Sequence, residues 1–247
     1  MFRRWVGGIV GALDGVLAVD GKTLRRSADG DAPPVHMVSA FSTELGLVLG
    51  QEKVAGKSNE ITAIPELLEA LHIKGLLVSI DAMACQREIA AKIVEKGGDY
   101  LLAVKGNQPT LHQQVRDLIS DAQRANDGFK HVDSAHGRTV LQLSGVAASG
   151  AEIDPELWPG RKTVGCVVSQ RVVGDKVAEL EARYYISSRS LSAEELTRTV
   201  RAHWAIENRL HWMLDVCFGE DDCMIRKDNA PQNLSLLKKI VLNLIRA

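Results

Sequence analysis

The 247-residue sequence is poor in aromatics, at 4%, which leaves too few π-faces for a platform that stacks single-stranded bases. It has four cysteines, Cys85, Cys166, Cys217 and Cys223, and no CxxC pair, which argues against a zinc knuckle. The four are expected to be core thiols in a reducing compartment. Neither charge is in excess, since 30 Lys and Arg face 31 Asp and Glu, so a polyanionic partner has to be met by local patches. No apolar run approaches the roughly 18 uncharged residues that span a bilayer. The opening MFRRWVGGIVGALDG has the arginines and apolar stretch of a secretory signal, but Asp14 interrupts it and no A-x-A-like site follows. The expectation is therefore a cytoplasmic protein without a membrane partner. What the sequence does contain, 45% hydrophobic and 25% charged residues, is globular usage that excludes disorder.

Apolar periodicity predicts three successive strands over 15–20, 35–42 and 45–54, an antiparallel meander. Ser58 or Asn59 can cap a helix over 60–71, whose Ile61, Ile64, Leu67, Leu68 and Leu71 share one face. The continuous apolar run 76–80 reads as a central strand buried on both sides. A helix over 85–96, a strand over 100–104 and a helix over 110–125 follow. From 129 to 188 alternation returns, with strands predicted over 131–146, 163–173 and 177–187, and this part is expected to be a β-rich insertion projecting from the sheet. A long helix over 191–216 then starts at a Ser192/Glu195 capping box, and a last helix starts near Pro231. The fold class is α/β, a mixed sheet flanked by helices. Three parts are expected: 1–128 as the first part of the core, 129–188 as the insertion, and 189–247 as its completion.

Two aspartates end apolar strands, Asp20 in AVDGKTLRRS and Asp81 in LLVSIDAMACQ, and carboxyl ends of strands are where open α/β sheets carry functional groups. Each could equally be a turn or N-cap aspartate. In RAHWAIENRLHWMLDV, helical spacing aligns His203, Glu207, His211 and Asp215 on one seam and Ile206, Leu210, Met213 and Cys217 on another, with Trp204 and Trp212 bracketing the first. Asp20, Asp81 and Glu207 together can bind a pair of hard divalent cations through oxygen. Such a pair, Mg²⁺ or Mn²⁺, relieves the repulsion among grouped carboxylates and positions both oxygens of an in-line phosphoryl displacement. Glu220, Asp221 and Asp222 compete with Glu207 for the third place. A zinc or iron hydrolase built on His203, Glu207 and His211 is disfavoured, because H-x3-E-x3-H is not the H-E-x-x-H spacing.

These words resemble a family. AVDGKTLRRS, KSNEITAIPELL, SIDAMACQ, DYLLAVKGNQPTL, RYYISS and HWAIENRLHWMLDVCFGED are similar to the insertion-sequence DDE transposases of the ISAs type, the group of H-repeat-associated proteins. The resemblance implies a ribonuclease H-like fold with an insertion before the last catalytic helix, and cut-and-rejoin chemistry at transposon ends. It implies double-stranded DNA as partner, a homodimer as an assembly option, a nucleoid-associated location, and an acidic triad on Asp20, Asp81 and Glu207. Relatives with a Y-x2-R-x3-E signature have Tyr and Arg where this chain has Val200 and His203. The resemblance also implies a further N-terminal part, so a shortened, catalytically inactive remnant is the alternative expectation.

DNA contacts are expected from Lys22, Arg25 and Arg26 after Asp20, from Lys105, Asn107 and Gln108 after the strand ending at Val104, and from His203 and His211. Residues 224–247 add Arg226, Lys227, Lys238, Lys239 and Arg246 against Asp228 alone.

Overall fold

The computed structural model describes residues 14–30, 32–55, 59–123, 128–135 and 137–247. The signal-like stretch before Asp14, Ser58 as a cap, and the expected helix end at 124–125 lie outside them. β1 (Val16–Thr23), β2 (His36–Ser42) and β3 (Leu47–Lys53) form the expected meander. Asn59 begins α1 (Glu60–Glu69), its side chain accepting the Ile61 N–H at 3.1 Å. β4 (Leu77–Ile80), α2 (Arg87–Glu95), β5 (Asp99–Val104) and α3 (Pro109–Gln123) follow, and β4 runs parallel to both β1 and β5.

Residues 129–188 are strand-rich, but their strands lengthen the same sheet rather than projecting from it, which corrects the expectation of a projecting insertion. β6 (Gly128–Ala135), β7 (Arg138–Ala148), β8 (Thr163–Val173), the short β9 (Lys176–Val177) and β10 (Glu181–Ser187) give the order β3-β2-β1-β4-β5-β10-β8-β7-β6, with β9 on β8. The physical reason is the free edge of β5. It is covered by antiparallel β10 in the register Tyr184↔Val104 to Ser187↔Leu101, which pairs backbone groups that would otherwise lack partners.

The helix expected over 191–216 is broken into three. α4 (Ala193–His203) starts at the Ser192/Glu195 capping box, a π-helical turn spans Ile206–His211, and α5 (Trp212–Val216) closes the run. α6 (Ala230–Arg246) follows. The extra residue per turn moves the apolar seam to Ile206, Leu210 and Leu214, while Cys217 is exposed. Only Cys85 and Cys166 are buried thiols, a second correction.

Strand alternation sends Leu17, Val19, Val78, Ile80, Leu102 and Val104 to the face covered by α1, α2 and α3. The opposite face carries Ala18, Phe41 and Val48 against Ile206, Leu210, Leu214 and Leu242, and Leu77, Leu101, Val167 and Tyr185 against Leu196 and Val200. α6 is tied to edge strand β3 by polar contacts. Asn243 accepts from the Val48 N–H at 2.9 Å and donates to the Val48 carbonyl at 2.8 Å. The buried Lys239 ammonium donates to Ser39 Oγ and Gln51 Oε1 at 2.9 and 2.8 Å, and burial pushes it down to about 8. No helix among the described residues is long and apolar enough to cross a membrane.

Candidate active site

In the register of β1 and β4, Val19 is opposite Ile80, so Asp20 and Asp81 stand side by side just past the last paired residues. Asp81 follows the end of β4, whereas β1 runs on to Thr23 because β2 still pairs with it, which corrects the expected strand end at Asp20. Val19 and Ile80 turn into the core, and alternation sends the next residue of each strand to the other face, toward α4 and the π-helical turn. The same alternation aligns Ser79 with Asp81, Ala103 with Lys105, and Arg183 with Tyr185. These residues floor one pocket whose wall is Val200, His203, Trp204 and Glu207. Asp20, Asp81 and Glu207 thus line a common pocket although far apart in sequence.

The electrostatics are first of all those of buried carboxylates. Burial first, and then Glu60, Asp81 and Glu207, push Asp20 up from 3.8 to about 7, against the lowering effect of the Gly21 N–H. Burial and Glu60 raise Asp81. Burial raises Glu207, which Arg183 opposes. Asp81 is also the turn aspartate that the alternative reading anticipates, since its Oδ1 accepts the Met83 and Ala84 N–H groups at 3.1 and 3.4 Å. Those bonds use a single oxygen and orient the carboxylate.

The donor set of three carboxylates, with Asp20 destabilised as an anion, fits a hard divalent cation. As positioned, no three His, Cys, Asp or Glu side chains among the described residues are grouped closely enough to hold one metal ion.

The other candidates sort by what they already touch. Lys22 is only 10% exposed and pairs with Asp215 and Asp221 at 2.7 and 2.8 Å, so its charge is matched within the fold. Arg25 pairs with Asp221 and Arg26 with Asp222. Glu220 is buried, and none of Glu220, Asp221 and Asp222 lines the pocket. Asn107 donates to the Ala82 carbonyl at 2.7 Å and Gln108 to that of Cys85 at 2.9 Å, holding the turn that follows Asp81. Lys105 lines the pocket and is exposed. His203 also lines it, and burial pushes it down to about 4. His211 Nδ1 lies 3.5 Å from Asp20 Oδ2, and burial, then Lys239 and Lys22, push it down to about 3. Both imidazoles are neutral at pH 7.

Sequence reasoning missed two features. Glu60, buried at the start of α1, meets His36 Nε2 at 2.6 Å directly over the Gly21 backbone. A Cβ on Gly21 would run into Glu60 Oε1 and His36 Nε2, so a larger residue here must displace the ends of these two side chains. The signal was present in KSNEITAIPELL, whose Glu could have been read as a fourth carboxylate. The second is Arg183, the arginine of RYYISS, which reaches the pocket only because β10 joins β5.

The family model described as transposase DDE domain matches residues 11–244. The chain is 45% identical over 257 residues to "Putative transposase YncI" of Escherichia coli O157:H7, covering 100% of this chain and 66% of that protein. It is 43% identical over 244 residues to "H repeat-associated putative transposase YhhI" of Escherichia coli strain K12, covering 93% and 64%. The chain spans just under two thirds of the length of these curated relatives. With residues 11–244 of its 247 matched by the family's model, the chain belongs to the DDE transposase family.

Proposed function

We propose that this chain is the catalytic core of a DNA transposase, which hydrolyses phosphodiester bonds at transposon ends and transfers the freed strand. Its substrate is double-stranded DNA, and two Mg²⁺ or Mn²⁺ ions held by Asp20, Asp81 and Glu207 complete the site. The observation that carries the reading is the Val19↔Ile80 register, which sets Asp20 of β1 beside Asp81, just after β4, in one pocket with a helical glutamate. When bound, the ions polarise the phosphate and lower the pKa of an attacking water. The chain's own groups orient and balance charge. The Met83 and Ala84 N–H groups fix Asp81, neutral His211 abuts Asp20 without matching its charge, and Lys105 offers a cation to DNA phosphate. A homodimer bringing two ends together, in the nucleoid, is consistent with this chemistry.

A second reading, an inactive remnant that keeps the fold and weak DNA binding, is favoured by one observation: no three ligating side chains are grouped for one ion among the described residues. Nicking of a duplex carrying the element's ends decides between them. The active reading expects cleavage that needs Mg²⁺ or Mn²⁺ and is abolished by Asp81→Asn with an unchanged melting curve. Cleavage that survives both chelator and Asp81→Asn would defeat the metal mechanism. A folded, Mn²⁺-treated wild type that does not cleave would establish the remnant.

A further inference from the structure

One guanidinium, that of Arg183, lines the pocket. Arg183 lies on β10, two residues from Tyr185 and on the same face, and lines the pocket with Asp20, Asp81 and Glu207. It is held on two sides. Its Nε and Nη2 donate to Glu181 Oε1 and Oε2 at 2.9 and 3.1 Å, and its central carbon lies 4.7 Å from the centre of the Trp204 ring. The Glu181 bonds take two of five N–H donors, and the Trp204 ring packs against the guanidinium. Its side chain is 29% exposed, so the fork is accessible yet immobilised. The alternatives in the pocket are unlike it. Lys105 is an exposed point charge and His203 an enclosed neutral ring, while Lys22 nearby is consumed by Asp215 and Asp221.

A planar fork braced by an aromatic ring and sharing a pocket with three carboxylates can bind a phosphate diester bidentately, placing its phosphorus beside those oxygens. We infer that Arg183, braced by Trp204 and Glu181, grips a backbone phosphate of the DNA strand in this pocket. The inference rests on the transposase reading of the same site.

The test is binding of a short fluorescent duplex, without metal and in EDTA, across a salt series, with melting curves for each variant. Arg183→Ala is expected to weaken binding about tenfold, equally for unrelated sequences, and to lower the slope of log affinity against log salt by about one. Arg183→Lys, which keeps the charge and spares the fold, should retain the slope yet lose about threefold in affinity, because the fork and stack are gone. A folded Arg183→Ala with wild-type affinity and slope would overturn the inference, as would Arg183→Lys indistinguishable from wild type. Asp81→Asn in the same assay should bind at least as well as wild type. If Asp81→Asn abolishes metal-dependent nicking while Arg183→Ala leaves binding intact, the inference alone fails. If the arginine effects appear and no nicking does, the phosphate grip stands and the catalytic reading falls.

Discussion

Asp20→Asn should make the protein more stable while destroying its site. The folded chain holds the Asp20 carboxyl at about 7 rather than 3.8, chiefly through burial and then through Glu60, Asp81 and Glu207. A raised value means that folding favours the protonated form. The stability tied to this group is therefore fully present below about pH 3.8 and is lost as pH rises through about 7. At about 1.4 kcal/mol per pH unit, the difference corresponds to roughly 4 kcal/mol forfeited at pH 8. Asparagine keeps the shape and an oxygen for the Gly21 N–H but carries no charge, and neutral His211 leaves no ion pair to lose. The expected gain is about 2–4 kcal/mol at pH 8 and near zero at pH 4, or roughly 5–15 °C in Tm at pH 8. Urea unfolding in EDTA at pH 4, 6 and 8, followed by circular dichroism, measures it. In a second arm, Mn²⁺ should stabilise the wild type at pH 8 and leave Asp20→Asn unmoved, since binding to the native state alone shifts unfolding. An Asp20→Asn protein less stable than wild type at pH 8, or one with the same difference at pH 4 and pH 8, would refute the electrostatic argument.

Other outcomes follow from the same geometry. Gly21→Ala drives a methyl into the His36–Glu60 pair and should cost about 1.5–3 kcal/mol in urea unfolding, the worth of a charge-assisted bond, with nicking reduced because the backbone beside Asp20 shifts; unchanged values for both would remove the pair's role. Asn243→Ala strips the partners from the buried Val48 N–H and carbonyl and should cost about 2–4 kcal/mol. Faster hydrogen exchange confined to β3 and α6 would locate that loss, and exchange unchanged there would count against it.

The local events were legible in the sequence because their causes are local. The apolar runs before Asp20 and Asp81 are strands, although β1 continues past Asp20 to Thr23 beside β2, and Ser192 with Glu195 caps a helix through bonds that span three residues. The motif words carried the family, and two residues of the expected seam face β1, where His211 meets Asp20 and Asp215 meets Lys22. What the sequence did not disclose depends on which edges meet. Alternation marks residues 181–187 as a strand but cannot name its neighbour, and only the pairing of β10 with the open edge of β5 carries Arg183 to the pocket. His36 and Glu60 begin different elements and converge over Gly21 only when β1, β2 and α1 pack. Lys22 reads as a free cation beside Asp20 until α5 and the turn after it bring Asp215 and Asp221 to its ammonium. The sequence by itself determined the elements and the chemistry at their ends, because backbone periodicity and capping act within a few residues. Only the tertiary structure decided which charges are matched and which are left to act, because Coulomb interactions and burial depend on distance in space rather than along the chain.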